Sequence, residues 1–316
     1  MSKPVQLGPW PTGMNNRKPE YALDKDQYGK VTALRNAVNV DLDAGGNARR
    51  RAGYAKIVGG LNTRAGYSCE AGTFYVNGAN LMRLNDDDST TLLFSGVAGD
   101  PVSYAHFNDV VYFTDGLITK CIVNGVVVDW EINAHLAMDP EYMAVPAGSI
   151  VREFNGRMYV AVGKIVWFTD PFTLGSVQKQ RNFIQFPADV TIMEPVTGGI
   201  WFVADQTYFY AGGGPDEFMP KPQLNYGAVP GTSLKVPYTN DVMWYSERGA
   251  VMATQDGQIK NVQEANIAAE SGTVGATLIR EENGIKQFIA SIRNQSVSPL
   301  AATSFMDMEV IRKAGE

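Results

Sequence analysis

The sequence predicts an all-β chain, a β-propeller of five or six antiparallel blades with an extended N-terminal arm, and three observations lead there. First, one strand phrase recurs: EAGTFYVN at 70–77, NDVVYFTD at 108–115, NGRMYVAV at 155–162, GGIWFVAD at 198–205 and NDVMWYSE at 240–247, with a weaker copy, NGIKQFIA, from Asn283. Successive starts lie 38, 47, 43, 42 and 43 residues apart, the spacing of a repeat whose unit holds strands rather than helices. Second, each run is apolar on both strand faces: Val110 and Tyr112 point one way, Val111 and Phe113 the other. Third, the runs end in hairpin signals, such as Asn77-Gly78, Asp115-Gly116 and the Arg248-Gly249 turn, and lead into another strand, as in KIVWFTD after Gly163 and TYFYAGG after Gln206. Sheets buried on both faces are usually parallel with helical crossovers, but hairpins exclude that arrangement. Antiparallel sheets packed between like neighbours about every 40 residues are propeller blades.

Taken in chain order, residues 1–30 differ from the rest. Pro4, Pro9, Pro11 and Pro19, with Gly8 and Gly13, forbid a regular helix or central strand, while Trp10, Tyr21 and Leu23 give the segment something to bury. The expectation is an arm over 1–30 that either lies over its own domain or reaches onto a neighbouring subunit, with Pro9, Trp10, Pro11 and Tyr21 as the candidate contacts between subunits; a frayed tail is the plainer reading. The propeller domain then spans 31–316, closed by strands around Val38–Val40 and Met306–Ile311. NVDLDAGGNARRRAGYAKI reads as a hairpin arm around the Gly45-Gly46 turn, with Arg49, Arg50 and Arg51 solvated or ion-paired. Two short segments, Glu264–Ala269 and Asp139–Met143, are the best helix candidates, each a turn or two on a loop.

Composition bounds the function. The 316 residues carry 32 Gly, 16 Pro and 45% hydrophobic residues, enough for a large core and many turns. With 27 basic against 33 acidic residues the net charge is −6, without the basic footprint of a protein that grips nucleic acid. Cys69 and Cys121 have no Cys or His at ligand spacing, which fits synthesis in a reducing cytosol. The start MSKPVQLGPWPTG has no apolar run of signal type, and no stretch reaches the 18 to 20 apolar residues of a membrane helix, so neither targeting segment nor membrane anchor is expected.

No catalytic motif emerges: there is no G-x-S-x-G, Walker loop or H-E-x-x-H, and the only histidines are His106 and His135. Gly212-Gly213-Gly214-Pro215 lacks the Lys and helix of a phosphate loop and reads as a turn. Asp41-Leu42-Asp43 lacks the third ligand and closing Glu of a calcium loop. The expectation is therefore no enzyme activity, no cofactor and no metal. Against it stands one constellation: Asp115, Asp205 and Glu247 all fall seven residues after their repeat start, where a five-bladed carbohydrate-active propeller could converge carboxylates on a glycosidic bond. Capping of the following turn explains the same residues without catalysis. Asp86-Asp87-Asp88 reads as an acidic hairpin tip, with cation binding as the lesser alternative, or, in a ring, as acids on a lumen or loop. A monomeric binding propeller is the third reading.

Several segments resemble one family. GMNNR at 13–17 and ALRNAVNVDLDAGGNARRRAGYAKI at 33–57 are followed by VWFTDP at 166–171, FPADVT at 186–191, IWFVADQTYFYAGGGPDEF at 200–218, YGAVPGT at 226–232 and a closing TSFMDMEVIRK. Their order resembles the tail hub and nozzle (tail-tube) proteins of short-tailed bacteriophages and related prophages. The resemblance implies a structural virion protein of the tail, made in the host cytoplasm and assembled as a ring, a hexamer, below the portal and adaptor. Its partners would be copies of itself, the adaptor- and portal-side tail proteins and tail fibers. DNA would pass transiently through the conduit without sequence-specific binding, and an acidic wall would offer it few phosphate contacts.

Overall fold

In the computed structural model the described residues are 8–38, 40–43, 45–51, 57–60, 62–282 and 285–293. Among them the chain is all-β, with a single 3-10 turn at Glu20–Ala22. It divides into two compact units, one of Tyr54–Gly227 with Gln255–Gly257, the other of Met1–Gly53, Ala228–Thr254 and Gln258–Glu316.

The first unit holds four antiparallel sheets of four strands. In chain order the strands are, for the first sheet, β3 (Thr63–Cys69), β4 (Gly72–Asn77), β5 (Asn80–Leu84) and β6 (Thr90–Ser95). The second has β7 (Ser103–Phe107), β8 (Val110–Thr114), β9 (Thr119–Val123) and β10 (Val126–Asp129). The third has β12 (Ile150–Phe154), β13 (Arg157–Val162), β14 (Ile165–Phe168) and β16 (Phe183–Gln185), with a side pair of β11 (Tyr142–Ala144) and β15 (Ser176–Gln178). The fourth has β17 (Ile192–Val196), β18 (Gly199–Val203), β19 (Thr207–Ala211) and β20 (Met219–Leu224). Every repeat phrase supplies the second strand of its sheet, and the first strands are neighbours: β7 lies beside β3 and β12, and β12 beside β17. These are propeller blades, each a meander of strands packed between like sheets.

The two-faced burial is visible in β13. Tyr159 and Ala161 pack into a core with Ile200 and Phe202 of the following blade, while Met158 and Val160 pack with Ala105 and Cys121 of the preceding one. In β8, likewise, Val111 and Phe113 join Phe74, Val76 and Leu81 of the blade before, and Val110 and Tyr112 turn to the blade after. A period of two puts successive side chains on opposite faces, so a run of apolar residues is what a strand between two cores requires.

The second unit holds β1 (Val40–Leu42) paired with β2 (Ala48–Arg50), a fifth four-stranded sheet of β21 (Leu234–Lys235), β22 (Val242–Ser246), β23 (Gly249–Ala253) and β24 (Ile259–Asn261), and a hairpin of β25 (Val274–Glu282) and β26 (Ile285–Arg293). The described residues thus contain five four-stranded sheets, and the weak sixth copy of the repeat falls on β26, in a two-stranded sheet. The expected helical turns resolve differently: at Gln263–Ile267 one turn closes through the Ile267 N–H to the Gln263 carbonyl at 2.8 Å, whereas Asp139–Met143 is a turn running into strand β11. The predicted closing strand Met306–Ile311 lies outside the described residues. Val40 opens β1, which is held to the β25–β26 hairpin by Arg280 on Asp41. Cys69 and Cys121 are unpaired.

Candidate functional site

The three carboxylates that stand at the same place in their repeats are used differently. Asp115, 1% exposed, is consumed by the backbone: its Oδ2 accepts from the N–H groups of Ala98 at 3.1 Å and Gly99 at 2.9 Å, and its Oδ1 from those of Leu117 and Ile118, both at 2.8 Å. Burial pushes this carboxyl up, and the four amides overcome it, leaving it below the ordinary carboxylate value. Such a group is a turn cap that also fastens the loop before β7, with no lone pair directed at a substrate. Asp205 is exposed and, among the described residues, accepts only from the Tyr208 hydroxyl at 3.2 Å. Glu247 is exposed at the β22–β23 turn.

The acidic run forms the tip between β5 and β6. Asp87 Oδ1 accepts from the Ser89 N–H at 3.0 Å and the Ser89 hydroxyl at 2.5 Å, Asp88 takes a left-handed φ of 62°, and all three acids are exposed. Asp43 caps its turn by accepting from the N–H groups of Gly45 and Asn47, both at 2.9 Å, and Asp41 pairs with Arg51 at 3.1 Å and with Arg280. Among the described residues no group of three or more His, Cys, Asp and Glu is placed to hold a metal.

The arm is a folded loop. Trp10 donates its N–H to the Gly46 carbonyl at 2.7 Å, and Gly46, at φ +77°, sits so close that a Cβ there would lie 2.4 Å from the Trp10 carbonyl carbon; only glycine fits. Asn15, 4% exposed, accepts from the N–H groups of Arg17 and Lys18, and the stretch is stitched to its own chain by Asn16 on Ala268 at 2.6 Å and Arg17 on Ile267 at 3.2 Å. From that anchor the loop closes on itself through Thr32 to Asp24 and Asp26 to Lys30, both at 2.8 Å. It presents Tyr21 at 85% and Tyr28 at 79% exposure; Pro9 and Pro11 are exposed and Trp10 is half-buried.

Two features escaped the sequence. Arg152 in β12 and Glu194 in β17 form a forked ion pair between neighbouring first strands, with Nη2 to Oε1 at 2.7 Å and Nε to Oε1 and Oε2 at 3.2 and 3.3 Å. The remaining arginine donors go to the Ser103 hydroxyl and the Val151 carbonyl, both at 2.8 Å. The signal was partial: each is a charge at the third position of its strand, Glu194 alone in IMEPV and Arg152 beside Glu153 in IVREF, and the two stand 42 residues apart, one repeat. The second is a cavity of about 180 Å³ lined by Arg157, Phe168, Asp170, Arg181, Asn182, Phe183, Ile184, Pro215 and Asp216. It brings the Gly-rich turn after β19 against the connection from β14 to β16.

No protein-family model matches this chain, and no curated protein sequence is similar to it. Solved structures with some likeness include the extracellular domain of a hybrid two-component system from B. thetaiotaomicron (TM-score 0.46, 9% identity, 68% of this chain and 29% of that one). Others are virginiamycin B lyase from Staphylococcus aureus (0.45, 13%, 75% and 85%) and the calcium-binding protein regucalcin from Agrobacterium tumefaciens (0.44, 10%, 79% and 88%). The chain spans less than a third of the length of the first of these.

Proposed function

We propose that this chain is a ring-forming structural protein of a short-tailed phage tail, a hub or nozzle that continues the DNA-ejection conduit below the portal and adaptor. The observation that carries the reading is the arm: a proline-rich loop, fastened at 15–17 to residues 266–268 of its own chain, holds Tyr21 and Tyr28 out in solvent. Large aromatic side chains on a pre-ordered loop lose little conformational freedom on docking and are the residue type enriched at contact hot spots. A head-to-tail ring needs one such protruding patch meeting a different patch on the next copy. The net charge of −6 suits a wall past which a polyanion slides. The resemblance of 13–17, 33–57 and 200–218 to hub and nozzle proteins supplies the tail context.

Light scattering and electron microscopy of the purified chain test this. The expected result is a closed ring with a mass six times 34.4 kDa, reduced to single copies with an unchanged far-ultraviolet spectrum by Tyr21→Ser combined with Tyr28→Ser. A chain that stays monomeric up to roughly 100 μM, alone and with portal and adaptor proteins, refutes the reading and leaves a monomeric binding propeller.

A further inference from the structure

The cavity between the third and fourth blades has the chemistry of a ligand site. Its walls are Phe168, Phe183 and Pro215, with Phe183 39% exposed. Its polar groups come in both signs. Arg157 is partly occupied, with Nη1 on the Thr169 carbonyl at 2.9 Å and 3.6 Å from Asp170, and Asp170 also accepts from Asn182 at 3.0 Å. Arg181 and Asp216 line the same cavity, and among the described residues neither side chain has an ion-pair or hydrogen-bond partner. The loop that brings Pro215 and Asp216 here is held in place: Asn155 of the β12–β13 turn donates to the Gly213 carbonyl at 2.8 Å, and Glu217 accepts from the Gly213 N–H at 3.0 Å.

These groups select by elimination. A simple anion would be repelled by Asp170 and Asp216, and a simple cation by Arg157 and Arg181. An apolar ring would leave the largely covered Arg157 and Asp170 facing it without a polar partner of its own, and would make no use of the exposed Arg181 and Asp216. The occupant that fits must offer donors and acceptors around its edge and an apolar face to the phenyl rings. At about 180 Å³ the space suits one six-membered ring, since a cavity of roughly 150 Å³ accommodates benzene. We propose that this cavity binds a single hexopyranose unit, its hydroxyls taken by Arg181 and Asp216 and its C–H face laid on Phe183. Binding alone is proposed, with no bond broken. The site is independent of ring formation, so a monomeric protein would leave it untouched.

The test is titration calorimetry and saturation-transfer NMR on the full chain with methyl glucopyranoside, mannopyranoside and galactopyranoside as probes, and with inorganic phosphate and glycine as competing classes. Saturable binding of at least one hexopyranoside is expected, weakened at least about tenfold by Arg181→Ala and by Asp216→Ala and unchanged by Asp86→Ala at the distant hairpin tip. Both cavity substitutions remove side chains without internal partners, so the fold survives them, as thermal melting would verify. Absence of binding by all three hexopyranosides overturns the proposal, as does binding that neither cavity variant weakens. Capture of phosphate or glycine in their place overturns the ligand class.

Discussion

Arg152→Met isolates what the ion pair between β12 and β17 contributes. The substitution leaves Glu194, 4% exposed, as a carboxylate with its forked partner gone, and it strips the Ser103 hydroxyl and Val151 carbonyl of a charged donor. Breaking one side of a buried pair costs about 3–5 kcal/mol, and the neighbouring first strands give the site little room to relax. Glu194→Met is milder: the Arg152 side chain keeps 23% exposure and can turn to water, so the loss is roughly 1.5–3 kcal/mol, the value of a hydrogen bond to a charged group. Replacing both with methionine removes the charges together, and the double variant is expected within about 1 kcal/mol of the parent or above it. Urea unfolding followed by circular dichroism gives the midpoints, and the double-mutant cycle gives the coupling, expected above about 2 kcal/mol. Additive single and double effects, or a cost below about 1 kcal/mol for Arg152→Met, would refute the account of two charges that are tolerable in the core only as a pair.

Three further outcomes follow from the same structure. Asp115→Asn should cost roughly 2–4 kcal/mol, because an amide cannot accept from four backbone N–H groups. Since folding lowers the pKa of Asp115, its contribution is present above the unfolded value of 3.8 and lost as pH falls through the lower folded value, so parent and variant melting curves should converge below about pH 4. Asp205→Asn and Glu247→Gln, both at exposed turn ends, should each move stability by less than about 0.5 kcal/mol in the same melts. Asn15→Ala should release the arm while the blades stay folded, which limited trypsin digestion would show as cleavage at Arg17, Lys25 or Lys30 about tenfold faster than in the parent.

What was legible in the sequence was whatever the repeat repeats. The apolar runs of β4, β8, β13, β18 and β22 announce strands buried on both faces because nothing else holds Ile200, Trp201, Phe202 and Val203 in a row at 0% exposure. The sixth copy read weakly for a physical reason: Lys286 and Gln287 interrupt the apolar run, and among the described residues the strand pairs with β25 alone. The carboxylates at repeat ends were legible as residue types but not as roles, since Asp115 and Asp205 share an offset while one caps two loops and the other faces water. First strands were harder to see: Ser103, Arg152 and Glu194 lie in segments without a shared phrase, and their connection exists only once neighbouring blades are side by side. The outermost strand β20 carries Pro220 and Pro222, which weaken a strand signal in the sequence; an exposed blade edge is where prolines are tolerated, and there they also block pairing with another chain.

The cavity illustrates how a repeat of this kind acquires a site. Each blade spends its second and third strands on two cores, so those residues are committed to packing and vary little in character along the chain. The connection from third to fourth strand is under no such demand. In the third blade it runs from Thr169 to Asn182 and includes the side strand β15, carrying Arg181 and Asn182; in the fourth it is the Gly212–Phe218 turn, carrying Pro215 and Asp216. These are equivalent connections in adjacent blades, so they emerge on the same side and meet without any change to the strands beneath. The three glycines that resemble a phosphate loop have a different use here: Gly212 takes a φ of +132° and lies so close to the Glu217 carbonyl that a Cβ would come within 2.8 Å, which folds the turn tightly enough to set Asp216 at the cavity wall. A side chain at Gly212 would strain that turn and displace Asp216, whereas one at Gly214, where a Cβ meets nothing within 4 Å, would leave it in place. Gly212→Ala and Gly214→Ala therefore separate loop shape from loop composition, with hexopyranoside binding falling only in the first.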